Sequence, residues 1–551
     1  MPQTKISRKR LLQLGGASLG AAALAGVGPS AAQRPSQRRP NILFITVDQL
    51  CSFADLPRDL PLPNFQRLLR QGRSFTNYHV HQAPCGPSRS MIYTGQYVQK
   101  TGVYTNPPGE YAQVEPGAAA VELSPKLLTI GSMLREQGYY TAYKGKWHLS
   151  LINQRVRAAT PGRRYPDTSQ ALEPYGFADY GFDGESTGMM WAGFGHDGFI
   201  AADSIELLGR LARGRSKGKP WCLAINFVNP HDIMFYGGGD DTERAPSPIG
   251  IALPPPPVAP YDHSWNEPLP ASFYKDDLST KPKAQQGRTG SSAPKSEAAW
   301  RAYRSYYFNC IRDVDSHLGQ VLDALDRFGL AGDTIVVLTA DHGEQAGAHG
   351  LGGKGGTMYK ETLRVPLVVR GPGISPRPSA ALAGSVDLTP TLLALAGLDS
   401  DARAKRYPDL HGVDLTPILN DPAATTERDR RGVLFDFLSA PGGGPGEPTG
   451  PDVRTQLRGV FDGRYKFARY FNIRQHHIPN DWETLIAHND LELYDTRTDP
   501  DEIVNLAANP AARRDLILAL NAKVNRLIAE EIGADDGSIF PGGPTQYQLK
   551  S

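Results

Sequence analysis

Cys85 opens the segment Cys85-Gly86-Pro87-Ser88-Arg89, with Thr94-Gly95 just beyond it. A thiol in such a setting is of interest for its reactivity more than for pairing. Other reactive side chains sit where short apolar runs stop. Asp48-Gln49 follows the run 41–47, His231 follows Asn229-Pro230 after the run 221–228, and Asp341-His342 follows the run 334–339. Tyr143-Lys144-Gly145-Lys146-Trp147-His148 and Gly350-Leu351-Gly352-Gly353-Lys354 add three ammonium groups and another imidazole. Between them these types supply a nucleophile, carboxylate and imidazole metal ligands, cations for an anion, and proton donors. Each has an ordinary reading when taken alone. A lone histidine is usually structural, a lone lysine is a solvated charge, and Asp-His-Gly is a turn.

The elements that must position these residues are legible from periodicity. Asn41 to Val47, Tyr139 to Lys144, Trp221 to Val228, Thr334 to Thr339 and Leu363 to Arg370 read as buried strands. Leu123 to Gly138 and Tyr303 to Phe328 read as helices. This alternation predicts an α/β fold: a large, doubly wound mixed sheet flanked by helices. Ligands of open α/β sheets sit beyond the carboxyl ends of strands, so Asp48, His231, Asp341 and His342 are expected to converge there. Asp232 to Ala299 reads as irregular, with four consecutive prolines (254–257) and a Gly/Ser-rich stretch (286–292). A segment of that length directly after His231 is expected to form a wall or lid of the site. After a Gly/Pro-rich break (440–452), Leu457 to Tyr470 reads as a hairpin and Ala511 to Ile532 as an amphipathic helix, suiting a smaller C-terminal α+β domain. The expected division is 40–430 catalytic and 431–551 C-terminal.

The 551 residues carry 59 Lys+Arg against 57 Asp+Glu, a formal charge of +2 that gives no case for nucleic-acid binding. Any recognition of an anion must therefore be local. The four cysteines, Cys51, Cys85, Cys222 and Cys310, have neither zinc-ribbon spacing nor the density of a disulfide scaffold. Residues 1–32 read as an export signal. Lys5, Arg8, Lys9 and Arg10 precede a mild apolar stretch and a small-residue cleavage site. Ser7-Arg8-Lys9-Arg10-Leu11-Leu12 resembles a twin-arginine signal with Arg-Lys in place of Arg-Arg. The expected location is periplasmic or extracellular, with no transmembrane anchor in the mature chain.

Cys85-x-Pro87-Ser88-Arg89 with Thr94-Gly95 resembles the signature of the sulfatase family, in the alkaline phosphatase superfamily; Tyr93 stands where that family usually has leucine. Gly145-Lys146-Trp147-His148, Asn229-Pro230-His231, Asp341-His342-Gly343-Glu344 with Lys354, 385–391 and the tail around 493–506 resemble further family segments, in the family's order. The resemblance implies that Cys85 is oxidised by a formylglycine-generating enzyme. Hydrated formylglycine is a gem-diol: one hydroxyl attacks sulfur, and the other, on losing its proton, expels sulfate. It implies one divalent cation, Ca²⁺ with Mn²⁺ as the alternative, held by Asp48, Asp341, His342 and residue 85. Gln49 is a further candidate ligand. Arg89 is implied to hold the modified side chain, Lys146 to contact gem-diol and sulfate, and His148 to take the second hydroxyl's proton. His231 and Lys354 are implied to bind sulfate and assist the leaving group.

Two other readings remain open at this point. A phosphonate monoester or phosphodiester hydrolase of the same superfamily shares the Asp-Gln and Asp-His pattern, although the Lys146/His148 pair favours a sulfatase. An inactive exported binding protein is disfavoured by the intact set of motifs. The substrate, whether sulfated glycan, aryl sulfate, choline sulfate or steroid sulfate, is not legible.

Overall fold

A computed structural model describes residues 39–107, 121–159, 167–181, 191–236, 254–286, 294, 296–438, 453–473 and 478–540. The expected export signal lies outside these residues, as do the Gly/Pro-rich break at 440–452 and nearly all of the stretch 286–292. Among the described residues no helix is long and apolar enough to cross a membrane.

Seven strands form the main sheet: β1 (Asn41–Val47), β2 (Arg73–His79), β3 (Tyr140–Gly145), β4 (Trp221–Phe227), β5 (Thr334–Ala340), β6 (Leu367–Arg370) and β7 (Ser379–Gly384). Their order is β3-β4-β1-β5-β6-β2-β7. The block β3-β4-β1-β5 is parallel, β6 runs antiparallel to both neighbours, and β2 pairs parallel with β7. The sheet is therefore mixed, as expected. Every residue of β4 and β5 is buried, which fits central parallel strands covered on both faces. The helix Ala192–Ala212 packs on β3 and β4 and against the 31-residue helix Glu297–Arg327.

A second, antiparallel sheet has the order β11-β10-β9-β8: β8 (Val433–Phe437), β9 (Gln456–Phe461), β10 (Tyr465–Phe471) and β11 (Asp490–Asp495). The period of two sorts its side chains between two cores. Val433, Phe435 and Phe437 join the core of the large sheet. Leu434 faces the other way and packs with Ile517, Leu520, Val524 and Leu527 of the helix Arg514–Leu527, whose spacing makes one apolar helical stripe.

Several element bounds differ from the sequence reading. The helix expected from Leu123 spans only Ile130–Glu136, because Thr129 caps it by accepting from the Gly131 and Ser132 amides. The long helix begins at Glu297 rather than Tyr303, with Ser296 as its cap. β6 starts at Leu367 rather than Leu363, directly after Pro366, which lacks an N–H for a ladder. The segment read as irregular contains short helices at Ala271–Lys275 and Lys283–Gln286. The C-terminal helix starts at Arg514 and widens into a π turn over Ile528–Ile532.

Candidate active site

Four parallel neighbours assemble one side of the site. Lys146-Trp147-His148 lies beyond β3, Asn229-Pro230-His231 beyond β4, Asp48-Gln49 beyond β1, and Asp341-His342 beyond β5. Val47 and Ala340 are register partners, so Asp48 and Asp341 emerge side by side. The Lys146 amide donates to Asn226 O at 3.1 Å, extending the β3–β4 pairing by one residue. Gly145 permits this: it has φ +87°, and a Cβ there would stand 2.0 Å from Asn226 O.

Cys85 arrives from the far side of the sheet. It is the first residue of the helix Cys85–Thr94, all of whose residues are buried. Ser88 Oγ donates to the Asp341 carbonyl and pins this helix to the end of β5. Cys85 Sγ then lies 3.1 Å from His342 Nε2, 3.6 Å from Asp48 Oδ1 and 3.2 Å from Lys354 Nζ.

Asp48, Cys85, Asp341 and His342 each offer one ligand atom, and these atoms lie within 4.8 Å of one another, all buried. His342 Nδ1 is 2.9 Å from Gly343 O, so the ring proton belongs there and Nε2 turns its lone pair to the cluster. Two carboxylates, one imidazole nitrogen and the atom of residue 85 are a donor set that fits one divalent cation. The Gln49 amide spans two groups. Its Nε2 donates to Glu344 Oε2 at 2.6 Å, and its Oε1 accepts from Lys354 Nζ at 2.6 Å.

Arg89 is fully buried and every nitrogen has a partner. Nε donates to Trp147 O at 3.0 Å, Nη1 to Asp341 Oδ2 at 3.3 Å, and Nη2 to Tyr143 Oη at 2.9 Å, to Asn226 Oδ1 at 2.7 Å and to Lys146 O. The guanidinium thus ties the Cys85 helix to the ends of β3, β4 and β5. Tyr93 explains its own departure from leucine, since its hydroxyl donates to the same Asn226 Oδ1 at 2.7 Å. Asn226, Tyr143 and Glu344 escaped the sequence reading as site residues. Asn226 is a polar residue inside an apolar strand run, which is a usable signal; Glu344 closes the Asp341 motif and reads there as part of a turn.

The electrostatics follow from burial and crowding. Burial works against charge on Asp48, but Lys146, His231, Lys354 and His342 outweigh it and hold the carboxyl well below its usual range. Lys146 Nζ donates directly to Asp48 Oδ2. Burial and Asp48 push the Cys85 thiol up; Lys146, Lys354 and His342 more than offset them, leaving it below its ordinary value. Burial, reinforced by Lys146, holds His148 and His231 well below the usual histidine range, so both rings are neutral near pH 7. His148 sits at φ +54°, in the left-handed region. The His231 segment is fixed by Asp197, which accepts from the Val228 and Asn229 amides at 2.7 and 2.8 Å. Asp232 fixes it too, accepting from Gly193 and Phe194 at the start of the helix Ala192–Ala212.

Residues 40–398 match the sulfatase family, and residues 347–530 match the C-terminal region of N-sulphoglucosamine sulphohydrolase. The chain is 27% identical over 495 residues to a choline-sulfatase of Rhizobium meliloti, covering 86% of this chain and 83% of that one. Among solved structures, a 2-O GAG sulfatase superposes with a TM-score of 0.64 at 24% identity, covering 91% of this chain and 93% of the other. A phosphonate monoester hydrolase from Silicibacter pomeroyi gives 0.62 at 21% identity, covering 89% and 96%. The sheet order, the buried cluster around Cys85 and a family match over most of the chain lead to one conclusion: this chain belongs to the sulfatase family of sulfuric ester hydrolases, in the alkaline phosphatase superfamily.

Proposed function

We propose that this chain is an exported sulfatase that uses residue 85, converted from cysteine to formylglycine, as its nucleophile. The observation that carries this reading is the place of Cys85, a buried thiol gripped by His342, Asp48 and Lys354 where four chain segments meet. Formylglycine supplies, when hydrated, one hydroxyl for attack on sulfur and a second for release of sulfate.

Asp48, Asp341, His342 and residue 85 would hold one divalent cation, Ca²⁺ with Mn²⁺ also accepted, with Gln49 Oε1 as a further oxygen. The cation, when bound, lowers the charge on the sulfuryl oxygens. The remaining work belongs to the chain itself. Lys146 and Lys354, near Asp48 and Cys85, balance the sulfate charge. Arg89 fixes the helix that carries residue 85. His148, held neutral, accepts the proton of the second hydroxyl. Burial, then Lys146 and Lys354, depress the proton affinity of His231; a bound sulfate anion would offset the lysines and let His231 carry the proton it donates to the leaving oxygen.

The test is a release screen with protein made alongside a formylglycine-generating enzyme. Choline sulfate, an aryl sulfate, sulfated sugars and a steroid sulfate are compared with a phosphonate monoester and a phosphodiester. Sulfate release at least tenfold above phosphoester turnover supports this reading. The reverse preference assigns the chain to the phosphonate hydrolase branch instead.

A further inference from the structure

Glu344 makes no contact with Cys85, Asp48 or Asp341 through its carboxylate, yet it is 1% exposed and fully engaged. Oε2 accepts from Gln49 Nε2 at 2.6 Å. Oε1 accepts from Tyr303 Oη at 3.1 Å, from the Ala346 amide at 3.0 Å and from the Gly353 amide at 2.7 Å. Gly353 directly precedes Lys354, and the Gln345 amide donates to Gly353 O at 3.0 Å, closing the base of the same loop. One carboxylate therefore grips the stem of the loop that delivers Lys354, the long helix Glu297–Arg327, and the Gln49 amide.

We propose that Glu344 is a positioning residue that sets which end of the Gln49 amide faces the reaction centre. Tyr303 and the Ala346 and Gly353 amides all donate to Glu344, an environment that favours the ionised carboxylate, which accepts hydrogen bonds only, so Gln49 presents its NH₂ to it. The Gln49 oxygen is then the end turned toward Lys354 Nζ, which stands 3.2 Å from Cys85 Sγ. With the amide reversed, an NH₂ group would face the ammonium and any bound cation, two contacts of the wrong sign. Glu344 thus acts through Gln49 to keep an oxygen, and with it the Lys354 ammonium, at the edge of the cluster. This rests on the sulfatase reading only for the choice of ester in the assay.

Glu344→Gln is nearly isosteric and can still accept from Tyr303, Ala346 and Gly353, but it sets one NH₂ against another. Kinetics of the wild type, Glu344→Gln, Gln49→Ala and the double variant are measured on whichever ester the wild type turns over best. Mn²⁺ binding to the metal-stripped proteins is followed by calorimetry. Glu344→Gln should lower kcat/KM and Mn²⁺ affinity by about 10–100-fold, the usual scale for groups that orient ligands. In the Gln49→Ala background the same change should cost less than about threefold, because the residue it acts through is gone. The exchanged pair, Gln49→Glu with Glu344→Gln, restores a donor-to-acceptor contact and an oxygen toward Lys354. It should recover both readouts relative to Glu344→Gln, and it carries the test if the single variant does not fold. An unchanged single variant, equal losses in both backgrounds, or an exchanged pair no better than the single variant overturns the proposal. Should the wild type release no sulfate from any ester, the sulfatase reading fails separately, and Mn²⁺ binding still decides the role of Glu344.

Discussion

Cys85 Sγ lies 3.1 Å from His342 Nε2, so the first residue of the helix after β2 meets the imidazole at the end of β5. Neither residue is near the other in the chain, and both are fully buried. A thiol placed there for packing alone would have apolar neighbours instead of an imidazole, a carboxylate and an ammonium.

Cys85→Ala should abolish turnover while leaving the thermal midpoint within a few degrees of wild type, about 1 kcal/mol at most. Cys85→Ser should be equally inactive in a host that modifies only cysteine. Mass spectrometry of the peptide containing residue 85 in active protein should show an aldehyde in place of the thiol. Full activity in either variant, or an intact thiol in active enzyme, rules the mechanism out.

The imidazole makes the cluster softer than an all-oxygen cage. Metal-stripped enzyme should recover with Ca²⁺ and also, unusually well, with Mn²⁺. His342→Asn should shift relative affinity toward Ca²⁺ by about tenfold, the lower end of the range for ligand-shell changes. Calorimetric titration with both ions checks this directly; an unchanged ratio would mean that His342 is not a ligand.

His231→Ala should slow sulfate esters of poor leaving groups by about 10²–10⁴-fold, the range of general acid catalysis, and activated aryl sulfates far less. The pH profile adds a sign. Because burial and the two lysines depress its pKa, free His231 gains its proton only below the usual histidine range. For a poor leaving group, kcat/KM should therefore keep rising as pH falls through 6.5, with no plateau there. Equal losses on both ester types would reduce His231 to a binding role.

His349 supplies a stability prediction. Its ring stacks on Tyr359 with centroids 3.6 Å apart, and Nδ1 lies 2.6 Å from Asp276 Oδ2. Burial lowers its proton affinity, but Asp276 and Glu361 outweigh burial and push the pKa from 6.5 up to about 9. A raised folded-state pKa stabilises most at low pH. The contribution should be complete below pH 6.5, shrink as pH rises, and vanish above about 9, on the order of 3 kcal/mol in total. Denaturant unfolding from pH 6 to 9.5 should show this decline in the wild type and a flatter curve in His349→Gln.

What the sequence disclosed about the site came from strand ends. Asp48, His231, Asp341 and His342 follow β-branched or apolar runs, and a parallel sheet forces such ends together, so their convergence was legible. Cys85, Arg89 and Lys354 were legible only through family resemblance, since no periodicity brings the helix after β2 to the end of β5. The Ser88 bond to the Asp341 carbonyl does that, and it joins residues 253 positions apart. Glu344 and Asn226 were missed as parts of the site because a buried acceptor is defined by its donors, which arrive from distant segments. Helix ends were misjudged where capping by Thr129 or Ser296 overrode apolar periodicity.

The burial of residue 85 also orders events in the life of the chain. Cys85 is 0% exposed, at the start of a helix with no exposed residue. On the proposed reading, an enzyme that oxidises this side chain must reach it before the polypeptide closes. Val433, Phe435 and Phe437 complete the core of the large sheet, so closure waits for β8 and the strands that follow it. More than three hundred residues separate Cys85 from that last piece. On the same reading, residue 85 stays open to that enzyme while β8 is still to be made, and a chain that folds unmodified keeps its thiol.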